Sequence, residues 1–216
     1  MRAAVIFSGC GQKEGTEISE AVCCLLALEK RGIIWEGFAP DKTFMACSYI
    51  KGSKKELGER GIMDEACRIT RRDVQPLEGL KVEEFDLLCL PGGLGAAKIL
   101  SNFKTHGFQG EVLESLKEII LSFHKQKKPI VAICISPAIV AIALKNEKNI
   151  KITMGMDKSY QTGCSWAVIK ESAATDCVLD PLNRIVSTPA FMIENATRYD
   201  VFCGIDKAIE EATKLL

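Results

Sequence analysis

The chain alternates short, continuous apolar runs with longer stretches in which apolar residues return at every third or fourth position. The runs "AAVIFSG" (3–9), "IIWEGFAP" (33–40), "EFDLLCLPGG" (84–93), "PIVAIC" (129–134) and "KITMGM" (151–156) predict strands, the first three closed by Gly or Pro. Between them, "TEISEAVCCLLALEKRG" (16–32), "GEVLESLKEIILSFHKQKK" (110–128) and "SPAIVAIAL" (136–144) have helical spacing. Thr16 is the expected N-cap of the first helix and Gly32 its stop, while Thr188 and Pro189 suit the N-cap and first turn of a further helix. "GIDKAIEEATKLL" closes the chain as a helix, and "CVLDPLNRIVSTP" (177–189) predicts a hairpin turning across Asp180 to Asn183.

Strands that alternate with helices need crossover connections, so the pattern predicts an α/β fold with a mostly parallel central sheet covered on both faces. Residues 41–80 interrupt it with scattered charge and Gly, and predict an irregular insertion carrying a short hairpin and one or two helical turns. The most apolar stretch, Ile130 to Leu144, stops short of the roughly 18 residues that argue a membrane span. It reads as buried protein.

Composition sharpens these expectations. With 216 residues, 47% hydrophobic and 26% charged, the chain can bury one sizeable core, and a single domain over 1–216 is expected. Lys+Arg and Asp+Glu balance at 28 each, which leaves no basic surplus for nucleic acid. The start, "MRAAVIFSGCG", enters a strand-like run at once and lacks the apolar region and cleavage site of a signal peptide, so a cytoplasmic location is expected. The 10 cysteines fall mostly inside apolar runs and form no CxxC pair, which fits reduced thiols better than a disulfide framework.

In doubly wound sheets ligands bind outside the carboxyl ends of the strands. Three ends become candidates: "SGCG" (8–11), "PGG" (91–93) and "CIS" (134–136). A strand that stops at Cys134 and passes straight into a helix with Pro137 in its first turn has the geometry of a nucleophile elbow. The helix N-terminus would favour thiolate over thiol there. Against this stands the plain reading of Cys134 as a small buried hydrophobe. Gly92 and Gly93 could leave backbone N–H groups free to meet a developing oxyanion, or could simply end a strand.

The blocks "FSGCGQKEGTEISEA", "FAPDK", "EACRITRRDVQPL", "PGGLGAAKILSNF", "CISPA" and "STPAFM", spread in order from residue 7 to residue 192, resemble the ElbB branch of the ThiJ/PfpI group within the class I glutamine amidotransferase-like superfamily. The resemblance implies a flavodoxin-like three-layer sandwich with Cys134 as the reactive cysteine at the elbow. It also implies an acidic partner from the first helix. Glu20 fits that role best and Glu17, one turn earlier on the same face, competes. Without the resemblance both would read as first-turn acids that stabilise a helix N-terminus. Homodimers are common in the superfamily, and one is expected here.

The departures matter as much. Amidotransferases of the superfamily place a histidine downstream of the cysteine, and many ThiJ/PfpI proteins place one directly after it; here position 135 is Ile, and His106 and His124 both lie upstream. His124 reads as a surface residue; His106, in "SNFKTHGFQG", could approach the site. Glutamine hydrolysis is disfavoured for lack of a general base and leaving-group acid. Cys10 could lie near Cys134 as a redox couple or simply pack beside it. No metal-ligand spacing occurs, and Gly9, Gly11 and Gly15 do not make a dinucleotide fingerprint, so neither metal nor nucleotide cofactor is expected.

ElbB-like proteins are similar to glutathione-independent glyoxalases. That implies a small aldehyde substrate, glyoxal or methylglyoxal, held as a hemithioacetal on Cys134, with Glu20 moving a proton through an enediol and the Gly93 loop and Ile135 amide holding the oxyanion. The alternative is a non-catalytic cysteine sensor or small-molecule-binding protein linked to isoprenoid metabolism.

Overall fold

The computed structural model describes residues 1–50, 52–157, 159–160 and 164–216. Its strands are β1 (Arg2–Ile6), β2 (Ile34–Ala39), β3 (Thr43–Ile50), β4 (Ser53–Gly61), β5 (Val74–Pro76), β6 (Leu87–Leu90), β7 (Ile130–Ile133), β8 (Ile150–Thr153), β9 (Ala167–Lys170), β10 (Val178–Asp180) and β11 (Ile185–Thr188). Its helices are α1 (Ile18–Glu29), α2 (Ile62–Thr70), α3 (Leu94–Lys98), α4 (Phe103–His106), α5 (Glu114–Lys125), α6 (Ser136–Ala143) and α7 (Arg198–Thr213).

Seven strands form one sheet in the order β10-β11-β7-β6-β1-β2-β5. All its neighbours are parallel except β10, which returns antiparallel to β11 through the hairpin expected at Asp180 to Asn183. The continuous apolar runs follow from burial on both faces, because successive side chains point to opposite sides. Ala3, Val5, Leu87, Cys89, Val131 and Ile133 pack with α1, α2 and α7. Their neighbours Ala4, Ile6, Leu88, Leu90, Ile130 and Ala132 pack with α5 and α6 on the other side. The result is the three-layer α/β sandwich.

Several local expectations give way to better-placed groups. Thr16 does not cap α1: its hydroxyl accepts from the Ser8 N–H at 2.8 Å, and the N-cap is Glu17, whose Oε2 accepts from the Glu20 N–H at 2.6 Å. Thr188 and Pro189 open only a single 3-10 turn, Ala190–Met192, because the Thr188 hydroxyl donates to the Asp176 carbonyl instead of capping. The closing helix is nucleated at Thr197, which forms a capping box with Asp200; such caps stabilise a helix by about 1 kcal/mol.

The segment 41–80 is more regular than its composition suggests. Beyond a nine-residue β4 and its partner β3 it contains α2 and then β5, which joins the main sheet beside β2. Only the hairpin is an addition to the alternating order. Lys54, Lys55, Glu56 and Glu59 of β4 are exposed, which is why the pattern carried no core signal. The pair β8–β9 lies outside the main sheet, and β9 has an alternating half-buried pattern too short to stand out. Among the described residues no helix is long and apolar enough to cross a membrane.

Candidate active site

The carboxyl ends of β1, β6, β7 and β11 meet at one edge of the sheet. β7 ends at Ile133, and Cys134 takes φ +62°, the left-handed region that an L side chain occupies only when its surroundings enforce it. Two bonds enforce it here. The Cys134 N–H donates to the Thr188 carbonyl at 2.9 Å, tying the turn to β11, and the Ser136 hydroxyl donates to the Pro91 carbonyl at 2.9 Å, tying it to the end of β6. With α6 starting at Ser136 and Pro137 in its first turn, this is the expected nucleophile elbow.

Gly92 allows Cys134 and Glu20 to approach one another. A Cβ on Gly92 would lie 2.5 Å from Glu20 Oε2 and closer still to Cys134 Cβ. Gly93 has φ +100°, and its neighbours are pinned to the loop before α1: the Glu17 N–H donates to the Gly92 carbonyl at 3.0 Å, Leu94 N–H to Gln12 at 2.7 Å and Gly95 N–H to Gly15 at 2.9 Å. The first and second strand ends are thus one backbone-bonded rim.

Glu20 and Glu17, which compete in the sequence, divide their roles in space. Glu17 is half-buried and caps α1; Glu20 is 0% exposed and points at the elbow. Glu20 Oε1 accepts a long bond from the Phe191 N–H at 3.4 Å, presented by the left-handed turn at Ala190 (φ +46°). Its Oε2 has no partner of good hydrogen-bond geometry, yet Cys134 and Glu20 each shift the other's acidity.

Burial pushes the Glu20 carboxyl up to about 8, and the Glu17 charge adds to the shift against opposing interactions with Cys134 and the Phe191 and Gly92 amides. At neutral pH Glu20 therefore carries a proton. Burial likewise pushes the Cys134 thiol well above its ordinary range, with the Glu20 charge and hydrogen bond contributing. The Gly93 and Ile135 amides pull it back. The expected thiolate-favouring amide is present, but desolvation outweighs it, because an apolar shell solvates the sulfur worse than water does. The Glu20 charge opposes ionisation of Cys134, so the two protons are lost one after the other.

Cys134 and Glu20 open on a cavity of about 290 Å³. Of the residues singled out in the sequence, Glu17, Gly93 and Ile135 also line it, and Gly92 lies immediately behind the pair. Three do not line it. His106 is exposed at the end of α4, where Phe103 turns inward and the His106 Nδ1 lies 2.7 Å from the Thr105 hydroxyl. Cys10 is half-buried and is not among the residues that line the cavity. His124 sits on α5 with Nε2 3.3 Å from Asn183 Oδ1, also outside the cavity.

Six further lining residues were not singled out: Gln12, Leu94, Asp157, Tyr160, Phe191 and Met192. Gln12, Leu94, Phe191 and Met192 lie within quoted blocks, and the end of β11 was a fourth strand end that the topology would have flagged. Asp157 and Tyr160 follow β8, outside the main sheet, and carried no signal. All 10 cysteines are free, and among the described residues no group of three or more His, Cys, Asp or Glu is arranged to hold a metal ion.

No family model matches the chain. It is 33% identical over 228 aligned positions to the human "Glutamine amidotransferase-like class 1 domain-containing protein 3, mitochondrial", covering 99% of this chain and 83% of that one. It is 32% identical to the rat "ES1 protein homolog, mitochondrial", covering 99% and 84%. Among solved structures, an isoprenoid biosynthesis protein with amidotransferase-like domain from Ehrlichia chaffeensis superposes over 100% of both chains with a TM-score of 0.89 and 35% identity. A ThiJ/PfpI domain protein from Brachyspira murdochii, 15% identical with a TM-score of 0.58 over 99% of this chain and 95% of that one, shares the fold.

Proposed function

The chain belongs to the class I glutamine amidotransferase-like family that includes the ES1 proteins, and from that premise we propose that it is a glutathione-independent glyoxalase-type enzyme, converting glyoxal or methylglyoxal to the 2-hydroxy acid. The observation that carries the reading is the pairing of Cys134, open to a small cavity, with a Glu20 carboxyl pushed up to about 8 by burial and brought close to it over Gly92. Such a carboxyl is a base and an acid within one pH unit of neutrality.

Ionised Glu20 takes the thiol proton as the sulfur adds to the aldehyde carbon, and returns it to the new oxyanion, giving a hemithioacetal. The Gly93 and Ile135 amides, already directed at the sulfur, flank the site of that oxyanion. Glu20 then removes the C1 hydrogen as a proton, the C–H electron pair forming the C1–C2 double bond of the enediol, and delivers that proton to C2, while the C1 hydroxyl proton passes to the C2 oxygen and C1 becomes a carbonyl. The product is a thioester, which water cleaves to the 2-hydroxy acid and the free thiol. The sum is addition of one water, with C1 oxidised and C2 reduced, so no external oxidant or reductant is needed. No imidazole of the described residues lines the cavity, which leaves glutamine hydrolysis without its usual proton carrier. A cysteine sensor would need a ready thiolate, which the raised acidity range of Cys134 works against.

The test is mass spectrometry on protein quenched with acid shortly after mixing with methylglyoxal. An adduct on the Cys134 peptide is expected in the wild type, as the acid-stable 2-hydroxyacyl thioester, and should be lost in Glu20→Gln, which can take neither the thiol proton nor the C1 proton. Absence of a Cys134 adduct from both proteins would remove the reading.

A further inference from the structure

Apart from the neutral Tyr160 phenol and the Cys134 thiol, the ionisable groups that line the cavity among the described residues are all carboxyls: Glu17, Glu20 and Asp157. Two of them are oriented by backbone hydrogen bonds. Glu17 Oε2 accepts from the Glu20 N–H at the start of α1, and Asp157 Oδ1 accepts from the Ser159 N–H at 2.9 Å, which lowers the Asp157 acidity range. Lys13 and Lys98, the lysines beside the lining positions Gln12 and Leu94, are turned elsewhere. Lys13 Nζ lies 4.6 Å from the Tyr49 ring centroid, and Lys98 Nζ donates to the Lys13 carbonyl at 2.7 Å. Both line a separate cleft under the β3–β4 hairpin.

We propose that Glu17 and Asp157 set the charge selectivity of this site: it admits neutral carbonyl compounds, excludes anionic ones such as phosphorylated aldehydes and 2-oxo acids, and expels a carboxylate product. A small cleft lined by one sign of charge focuses its field on whatever enters, and both carboxylates edge the same cavity as the thiol. Product expulsion rests on the glyoxalase reading; exclusion of anions does not. Glu17 and Asp157 are specificity-determining residues, and neither takes part in the proton transfers.

Alkylation of Cys134 tests the selectivity without any turnover. The rates with neutral iodoacetamide and anionic iodoacetate, read on the Cys134 peptide at low salt, give a ratio to set beside that of 2-mercaptoethanol. The chain's ratio is expected to exceed the free thiol's by about tenfold, to fall about threefold in Asp157→Asn, and to approach the free-thiol value near 1 M salt. A ratio equal to the free thiol's overturns the proposal. So does a raised ratio that neither salt nor Asp157→Asn lowers, since that marks selection by shape. A chain that keeps the raised, salt-sensitive ratio but leaves methylglyoxal untouched loses the glyoxalase reading and retains this inference.

Discussion

Glu20→Gln is expected to cancel a fall in stability that the wild type shows between about pH 4.5 and pH 8, while removing turnover. The carboxyl has an ordinary value of 4.5 and sits at about 8 in the fold, so between these values the folded chain holds a proton that the unfolded chain has released. The native state then binds more protons, and stability declines as pH rises. The contribution is fully present below pH 4.5 and lost once pH passes 8. At roughly 1.4 kcal/mol per pH unit the loss is on the order of 5 kcal/mol for a fully buried group. Glutamine keeps the shape and cannot ionise. Its NH₂ will meet the Gly92 amide less well than a carboxyl oxygen does, a fixed cost of about 1–3 kcal/mol, so the slope with pH is the informative quantity. Urea midpoints at pH 5, 7 and 9 should converge toward a flat line in the variant; parallel declines in both proteins would show that Glu20 does not carry the proton.

Gly92→Ala is expected to have the second large effect. The new methyl would land against Cys134 Cβ and 2.5 Å from Glu20 Oε2, with the Ile133 carbonyl oxygen 3.0 Å away. None of these can retreat cheaply: Cys134 is fixed in a left-handed turn and Glu20 is enclosed. Overpacking of this kind costs about 1–3 kcal/mol. The larger consequence is separation of thiol and carboxyl, which by the sensitivity of proton transfer to position should lower kcat by about a hundredfold. Gly79→Ala is the control, since a Cβ there meets only Pro76 Cγ, at 3.9 Å. Equal activity in the two variants would mean that the close approach at Gly92 is not required.

The sheet was legible because its strands are buried on both faces, so "AAVIF", "LLCL" and "PIVAI" have no polar positions to confuse them. Cys134 was legible for a related reason: a strand, a small polar residue and Pro137 in succession leave the chain few ways to continue. Glu20 was separable from Glu17 only with the family resemblance, since both sit at the start of α1 and only packing buries one and leaves the other to cap. Asp157 and Tyr160 were invisible, because they come from a loop whose place at the site depends on β8 lying outside the main sheet. The acidity of Cys134 was misjudged because a helix N-terminus is written in sequence, whereas the shell that desolvates the sulfur is assembled from β1, β6, β7 and α1.

The Cys134–Glu20 reaction is tested most directly by lactate formation from methylglyoxal without glutathione, measured from pH 6 to 9 for the wild type, Cys134→Ser and Glu20→Gln. The expected result is many lactates per chain from the wild type, with kcat/KM rising toward pH 8 as Glu20 ionises, and a loss of about a thousandfold or more in each variant. Wild-type turnover that persists in Cys134→Ser, or a purified chain that forms no lactate at any pH, would contradict it.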